Sequence, residues 1–480
     1  MKIHRYMLKY LLGLSILIGG SPVTLAADTG PMIISVDSPS FRKLVVAAPK
    51  FQAAGPITSA QGKKLVEEGS QELVRLLNFS GFFSSLAEGA YAGAWDQYAK
   101  TRKTNETTQW ILDPKALSGD EIVQWRALGV ESLTMAALSE DPQKGLTLSF
   151  KTFDVNRGRE ILAKQFTRIT DYKSTIRQYA DFILEAYTGK PGMFNSKLTF
   201  VGRRTKTAAK QIFISDFDGS NITQITDGNF PHLSPSWSPD GRSVVYTSYE
   251  TRNPEIYAYD TVTRTKKRLT NAPGLDSGGN YAPNGRIVAY TSSRGDDTDI
   301  FSMTSQGAER KVLIEGSGLD VDPRFSPDGK WIAFVSGRFG NPHIFVGSLE
   351  WSGDTPRVTG DKRLTYAGWY NATPAWTPES DKIAFGGYDK DIDRWDIFLM
   401  NPDGSKLERL TLKSGDSESP SFSPNGQLIV FQSNRIGESN AKGTNTLWIM
   451  NRDGSNQRKL DIGGLYDAQT PSWSVNRKAE

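Results

Sequence analysis

One phrase recurs along the second half of this 480-residue chain, and its period constrains the fold more than any other feature. PSWSPDGRSVVYTS at 235–248 returns as GNYAPNGRIVAYTS at 279–292, PRFSPDGKWIAFVS at 323–336, PAWTPESDKIAFGG at 374–387 and PSFSPNGQLIVFQS at 420–433. A shortened copy, PSWSV, ends the series at 471–475. Marked by their aromatics (Trp237, Tyr281, Phe325, Trp376, Phe422 and Trp473), the copies lie 44, 44, 51, 46 and 51 residues apart. Periods of this size belong to propellers, solenoids and arrays. A second phrase interleaves with the first, beginning at Gln211, Glu255, Asp299, His343, Asp396 and Thr446, as in DIFLMNPDGS. Most copies are followed by a short strand ending in Leu-Thr or Ile-Thr, at Thr226, Thr270, Thr365 and Thr411.

Local chemistry makes each phrase a pair of strands. Ser-Pro-Asp-Gly places Pro at the second and Gly at the fourth position of a type I turn, which ends strand a and reverses the chain into strand b. In strand b, Ile332 and Phe334 alternate with Ala333 and Val335, so both faces are apolar, as in a sheet covered on both sides. Asp-Gly-Ser after strand c is a further tight hairpin turn. Six units of four strands predict a six-bladed β-propeller. The last copy stops after strand a, whereas the first unit starts at strand b near Leu198. The N- and C-terminal strands are therefore expected to pair in one blade and close the ring. A solenoid is the alternative, and its ends would need caps rather than complementary halves.

The region before the repeats reads differently. Lys2, Arg5 and Lys9 precede an apolar run and a small-residue stretch ending at Ala26 and Ala27, the three regions of a secretory leader cleaved near those alanines. The apolar run is too short to span a bilayer, and no transmembrane segment is expected elsewhere. Without the leader the net charge falls from +4 to +1, too little for bulk attraction to nucleic acid. From 28 to about 192 strand and helix alternate. Strands are predicted at 43–48, 132–138, 146–154 and 160–168, with helices at 61–77, 122–128 and 172–187. The expected organisation is a leader at 1–27, an α/β domain at 28–192 and the propeller at 193–480, the two domains packed together across a short join.

Catalytic chemistry is hard to find. The chain has no Cys, and its three His include one in the leader, His232 in an expected loop and His343 opening a strand, without metal-ligand spacing. No GxSxG elbow, P-loop or GxGxxG follows a strand. The basic run Arg203, Arg204, Lys206 and Lys210 lacks interleaved aromatics and reads as a solvated loop. Hence no catalytic residue, metal or cofactor is expected. The a–b and c–d turns at one end of the propeller are stereotyped, apart from an insert at 350–362. At the other end, the d–a loops (275–279, 318–322, 367–373, 414–419 and 463–469) meet variable b–c loops, and recognition is usually built on variable loops. Acids gather there: Asp276, Asp320, Asp322, Asp416, Glu418 and Asp467 in d–a loops, and Asp296, Asp297, Asp299, Asp389, Asp391 and Asp393 in b–c loops. Trp369, Tyr370 and Tyr466 lie among them, a mixture suited to protein partners.

With its leader, an α/β domain ending in TGKPGMF at 188–194, and blades built on P-[SA]-W-S-P-D-G and DIFLMNPDGS phrases, the chain resembles the TolB family of the Tol-Pal cell-envelope system. The resemblance covers essentially all of it after the leader. It implies a non-enzymatic periplasmic protein, monomeric outside its complexes, that binds the lipoprotein Pal through the propeller and TolA through the N-terminus left by cleavage, in support of outer-membrane integrity and cell division. The Pal-facing positions would be Leu275, Asp276, Gly278, Gly279, Asp320, Asp322, Trp369, Tyr370, Asn371, Asp416 and Glu418. The TolA-facing ones would be Met32, Ile33 and Ile34. The loop before Tyr281 departs from the family, which often carries a His and a Pro there. Two alternatives stay open: a paralogue with another partner, and a secreted propeller with a ligand-binding or hydrolytic mouth.

Overall fold

The structure, a computed structural model, describes residues 42–93, 95, 117–294, 297–412, 415–436 and 439–477. The leader, Met32, Ile33, Ile34 and Asp296 lie outside these residues. Among the described residues no helix is long and apolar enough to cross a membrane.

The first part is an α/β layer. Strands β1 (Leu44–Ala47), β2 (Gln52–Ala53), β3 (Phe83–Ser85), β4 (Ser132–Asp141), β5 (Gly145–Asp154) and β6 (Arg159–Thr167) form one sheet in the order β3-β1-β4-β5-β6, with β2 beside β4. β1 runs parallel to β3 and β4, whereas β4, β5 and β6 form an antiparallel meander. Helix α1 (Ala60–Phe79) starts where the Ser59 side chain accepts the Gly62 N–H, and it buries Leu65, Leu73, Leu76 and Leu77. Helix α2 (Gly119–Ala127) begins with a capping box between Ser118 and Glu121. Helix α3 (Tyr172–Thr188) ends at Gly189 in the left-handed conformation that glycine adopts at least cost.

Strands β7 (Lys197–Arg203), β8 (Gln211–Asp216) and β9 (Thr223–Gln224) belong to the closing blade. Blade 1 holds β10 (His232–Trp237), β11 (Ser243–Ser248), β12 (Glu255–Asp260) and β13 (Thr265–Arg268); blade 2 holds β14 (Asp276–Tyr281), β15 (Ile287–Arg294), β16 (Asp297–Thr304) and β17 (Lys311–Ile314). Blade 3 contains β18 (Asp320–Phe325), β19 (Trp331–Ser336), β20 (His343–Ser352) and β21 (Thr355–Arg363), the last two lengthened by the insert. Blade 4 contains β22 (Tyr370–Trp376), β23 (Ile383–Asp389), β24 (Arg394–Met400) and β25 (Glu408–Arg409). Blade 5 contains β26 (Ser417–Phe422), β27 (Leu428–Ile436), β28 (Ser439–Asn451) and β29 (Arg458–Lys459). The final strand, β30 (Asp467–Trp473), pairs antiparallel with β7, from Asp467 opposite Arg203 to Trp473 opposite Leu198. Six four-stranded sheets thus close as the half-copies at the two ends require.

Strand b shows why the blades stack. Ile332 and Phe334 pack with Ala289 and Ile300 of blade 2, and Ala333 and Val335 pack with Ile383 and Phe385 of blade 4. The Leu-Thr phrase also acquires a reason. Its threonine hydroxyl accepts the N–H of Ile212, Ile256, Ile344 or Ile397 in strand c, at 2.8–3.0 Å. In three blades it also donates to the side chain that opens strand c: Gln211, Glu255 or Asp396. Outside blade 3, whose outer strand is lengthened by the insert, a short outer strand is thereby pinned by a side chain, and little unpaired edge is left exposed.

Strand a differs from expectation. It begins five or six residues before the aromatic, so the stretches read as d–a loops from 276, 320, 370, 417 and 467 are mostly strand, and His232 is the buried first residue of β10. In every blade a one-residue register shift interrupts it, two residues of strand a standing against one of strand b. Ser234, Asp322, Thr373, Ser419 and Thr470 sit there with φ between 44° and 54°, each before a proline, and Gly278 takes the same place in blade 2. Pro, Gly and Asp, which ordinarily punctuate loops, here build a bulge.

The α/β domain sits on the end of the propeller that carries the a–b turns and c–d hairpins, over blade 5 and the closing blade. One apolar core runs through both parts, joining Leu73, Leu77, Tyr179 and Ile183 to Phe200, Phe217, Val430 and Ile449. Phe79 stands edge-on to Phe217 at 5.0 Å, and Arg177 pairs with buried Asp216 at 2.9 Å. Asp181 accepts the N–H groups of Met193 and Phe194 and the Asn476 amide. A Cβ on Gly81 would meet Asn451 Oδ1 at 2.6 Å, so only glycine allows this approach.

Ring closure rests on Trp473, buried with its Nε1 donating to Ser196 Oγ at 2.8 Å. Trp473→Ala is expected to lower the unfolding free energy by about 3–5 kcal/mol, the range for deleting a buried aromatic. Urea denaturation measures it, and a loss below about 1 kcal/mol would show that the closing strand contributes little.

Candidate functional site

The residues read as partner-binding divide into two groups once strand a is placed. One group is buried and structural. Asp276, Asp320 and Asn371 occupy the same position at the head of strand a in blades 2, 3 and 4, each 2% exposed or less. Asp320 meets the Arg338 guanidinium at 3.1 Å; burial pushes its carboxyl up, against Ser336 and Arg338. Asn371 donates to the Ala367 carbonyl and to His343 Nδ1, both at 2.9 Å. Asp416 accepts the Trp395 N–H at 3.1 Å and the Asn434 amide at 2.8 Å. Gly279 packs so closely that a Cβ would meet Val245 Cγ2 at 2.8 Å. Leu275 is half-buried, its N–H on Ser293 Oγ, and the Gly278 N–H donates to Thr247 Oγ1. Asp467, at the head of β30, pairs with Arg203 at 3.3 Å. Three of the acids read as a ring at the propeller mouth therefore have structural work: Asp320 and Asp467 within their own blades, and Asp416 between blades 4 and 5.

The other group reaches solvent. Trp369 is 47% exposed with the Lys390 ammonium 4.3 Å above its ring. Tyr370 is half-buried, edge-on to Trp395 at 5.3 Å. Its hydroxyl is pushed up by burial and then by the charges of Asp322 and Glu418, which brings these three residues into one neighbourhood. Asp322 and Glu418 are both partly accessible.

Neighbouring loops add side chains that composition did not single out. Phe339, Tyr366, Ile392, Leu412 and Ile436 are all exposed, and with Trp369 they belong to the b–c and d–a connections of blades 3, 4 and 5. Tyr366, 76% exposed, has the Arg363 guanidinium 4.8 Å from its ring. The available signal was an apolar residue between polar or glycine neighbours with no alternating partner, as in RFGN or DIDR. This end of the ring is opposite the α/β domain. It presents a run of apolar and aromatic groups with acids and lysine around them, the composition of a protein-binding patch. Among the described residues no group of three or more His, Asp and Glu is placed to hold a metal ion.

His343 supports this face from beneath. Buried between Thr365 Oγ1 at 3.1 Å and the Asn371 amide, it is pushed down to about 4 by burial, with Arg363 adding to the shift. Its folded pKa lies below the ordinary 6.5, so its contribution to stability is complete above pH 6.5. It is lost as pH falls toward 4, because only the unfolded chain takes up the proton in that window. His343→Gln is expected to flatten this slope. Melting temperatures of both proteins between pH 7.5 and 4 measure it, and parallel curves would refute the assignment.

The TolB β-propeller domain family matches residues 184–477. The Tol-Pal system protein TolB of Desulfosudis oleivorans is 31% identical over 238 residues, 49% of this chain and 49% of that protein. That of Roseobacter denitrificans is 29% identical over 254 residues, 52% of each. The aligned part of the chain thus spans about half the length of these relatives. The crystal structure of TolB from Acinetobacter baumannii superposes with a TM-score of 0.71 at 24% identity, covering 90% of this chain and 97% of that one, a likeness of fold. The fold and the matched propeller together place the chain in the TolB family.

Proposed function

We propose that this chain is the TolB component of a Tol-Pal system: a non-enzymatic periplasmic scaffold, exported by its leader. It binds Pal through the d–a and b–c end of the propeller and TolA through the segment that follows the leader, in support of outer-membrane integrity and invagination at division. The observation that carries this reading is that Phe339, Tyr366, Trp369, Ile392, Leu412 and Ile436 are all exposed on the connections of three successive blades, at the end of the ring away from the α/β domain. Isolated apolar side chains are ordinary on a surface, but six at one end of three successive blades, with Lys390 and Arg363 over two of the rings, favour an interface. The printed names of the relatives, Tol-Pal system proteins, supply the system. Among the residues first read as Pal-facing, Asp322, Trp369, Tyr370 and Glu418 are placed to touch a partner. Asp276, Asp320, Asn371 and Asp416 act by shaping the strands beneath. On this reading Met32, Ile33 and Ile34 form the TolA contact.

A paralogue with another partner draws on one observation, the Gly278-Gly279 pair where the other five blades carry X-Pro. One experiment separates the two. Immobilised protein is expected to capture Pal from envelope extracts. Trp369→Ala combined with Glu418→Lys is expected to weaken capture at least tenfold without changing the melting temperature, since both residues lie at the surface. Removing residues 28–36 is expected to abolish TolA capture and leave Pal capture intact. Recovery of a different envelope protein in place of Pal would establish the paralogue.

A further inference from the structure

A cavity of about 500 Å³ runs along the propeller axis, lined by the second halves of all six innermost strands and by the prolines that open the a–b turns. Two residues beyond each bulge, the strands contribute Ser236, Asn280, Arg324, Ala375, Ser421 and Ser472 to its wall. Most of the polar members are used within the wall. Asn280 Nδ2 donates to Ser236 Oγ at 3.3 Å, Asn280 Oδ1 accepts the Phe325 N–H at 3.0 Å, and Ser421 Oγ accepts the Trp473 N–H at 3.0 Å.

Arg324 is different. It is the one cation lining the cavity, and among the described residues it forms no ion pair and one hydrogen bond, to the Pro323 carbonyl at 3.0 Å. A guanidinium carries five N–H donors in a rigid fork, so most of this fork is left for the lumen. Burial pushes its pKa down, opposed by the charge of Asp322. Beside it in the ring, Ala375 carries only a methyl group. A desolvated fork with unused donors, in a lumen of ligand size, is a feature of binding sites.

We infer that the channel binds a carboxylate, gripped by the Arg324 guanidinium within a proline-lined lumen. The fork matches a planar carboxylate through two parallel hydrogen bonds. A doubly charged phosphate fits less well, since there is one cation and the Asp322 carboxylate already lies in the same wall. The volume admits either a free small carboxylate or the C-terminal end of an extended peptide. Of the proposed Pal-facing residues only Asp322 lines this cavity, and neither Trp369 nor Glu418 does, so the two proposals are tested with different variants.

The test is calorimetric titration of the protein without its leader. The probes are N-acetylglycine, the peptide Gly-Ser-Pro-Ala-Pro with a free C-terminus, the same peptide amidated, and inorganic phosphate. At least one free carboxylate is expected to bind, with the amidated peptide and phosphate at least tenfold weaker. Arg324→Gln is expected to weaken carboxylate binding at least tenfold. Binding of N-acetylglycine supports a free small ligand as sufficient, and binding of the peptide alone supports a threaded chain end. Ala375→Glu, which plants a carboxylate beside Arg324, is expected to block both. The comparison of free and amidated peptide decides the matter in the unmodified protein should either variant fail to fold. No binding of either carboxylate, equal binding of phosphate, or binding unchanged in folded Arg324→Gln would overturn the inference.

Discussion

The pairing of β30 with β7 is the constraint on which the rest depends. It joins residues 467–473 to 197–203, and until it forms the closing blade lacks its innermost strand. An open ring would leave β7 as an edge and expose the flank of blade 5, two surfaces that invite aggregation. The closure is made by backbone hydrogen bonds, the Arg203–Asp467 pair and the buried Trp473, in a chain with no cysteine. It also fixes the α/β domain. Phe200, Phe217 and Trp473 of the closing blade share one core with α1 and α3, so the same strand that completes the ring builds the seat for the domain.

That seat determines which end of the propeller can bind. The α/β domain occupies the stereotyped end over blade 5 and the closing blade. On the other side of that end the long β20–β21 hairpin folds back, Trp351 Nε1 donating to the Gly329 carbonyl in the a–b turn of its own blade and Asp354 pairing with Arg286 of blade 2. The variable end keeps its exposed aromatics. A rigid ring with one end used for internal packing and the other presenting apolar loops suits a scaffold, because the recognition loops can vary while the inter-blade cores stay intact.

Much of this was legible in the sequence because repetition is a signal that local ambiguity does not erase. Six aromatics at nearly regular spacing determined the blade number, and the half-copies at the two ends determined the closure. The start of strand a was not legible. Residues such as Asp322-Pro323 and Thr373-Pro374 carry the chemistry of a turn, and only tertiary pairing with strand b makes them a bulge within a strand. The error carried over to the site. Acids assigned to loops looked available, but Asp276, Asp320 and Asp467 head strands and are buried. Exposed residues such as Tyr366 and Phe339 carry no such signal, because an apolar residue in a short polar stretch has no periodicity to mark it.

The bulge also gives the channel its chemistry. A regular antiparallel strand sends alternate side chains to one face along its whole length. A one-residue shift repeated in six blades interrupts the ladder at one level of the ring and turns one residue per strand into the left-handed region, at a cost in strain for the five that are not glycine. Gly278 avoids that cost, and it also leaves a space with no side chain beside the neighbouring blade. Asp322 Oδ1 stands 3.8 Å from where a Cβ on Gly278 would be. The break in the X-Pro pattern at blade 2 and the charge of blade 3 are therefore neighbours: the glycine that replaces X-Pro stands beside Asp322, which with Arg324 brings charge into the channel.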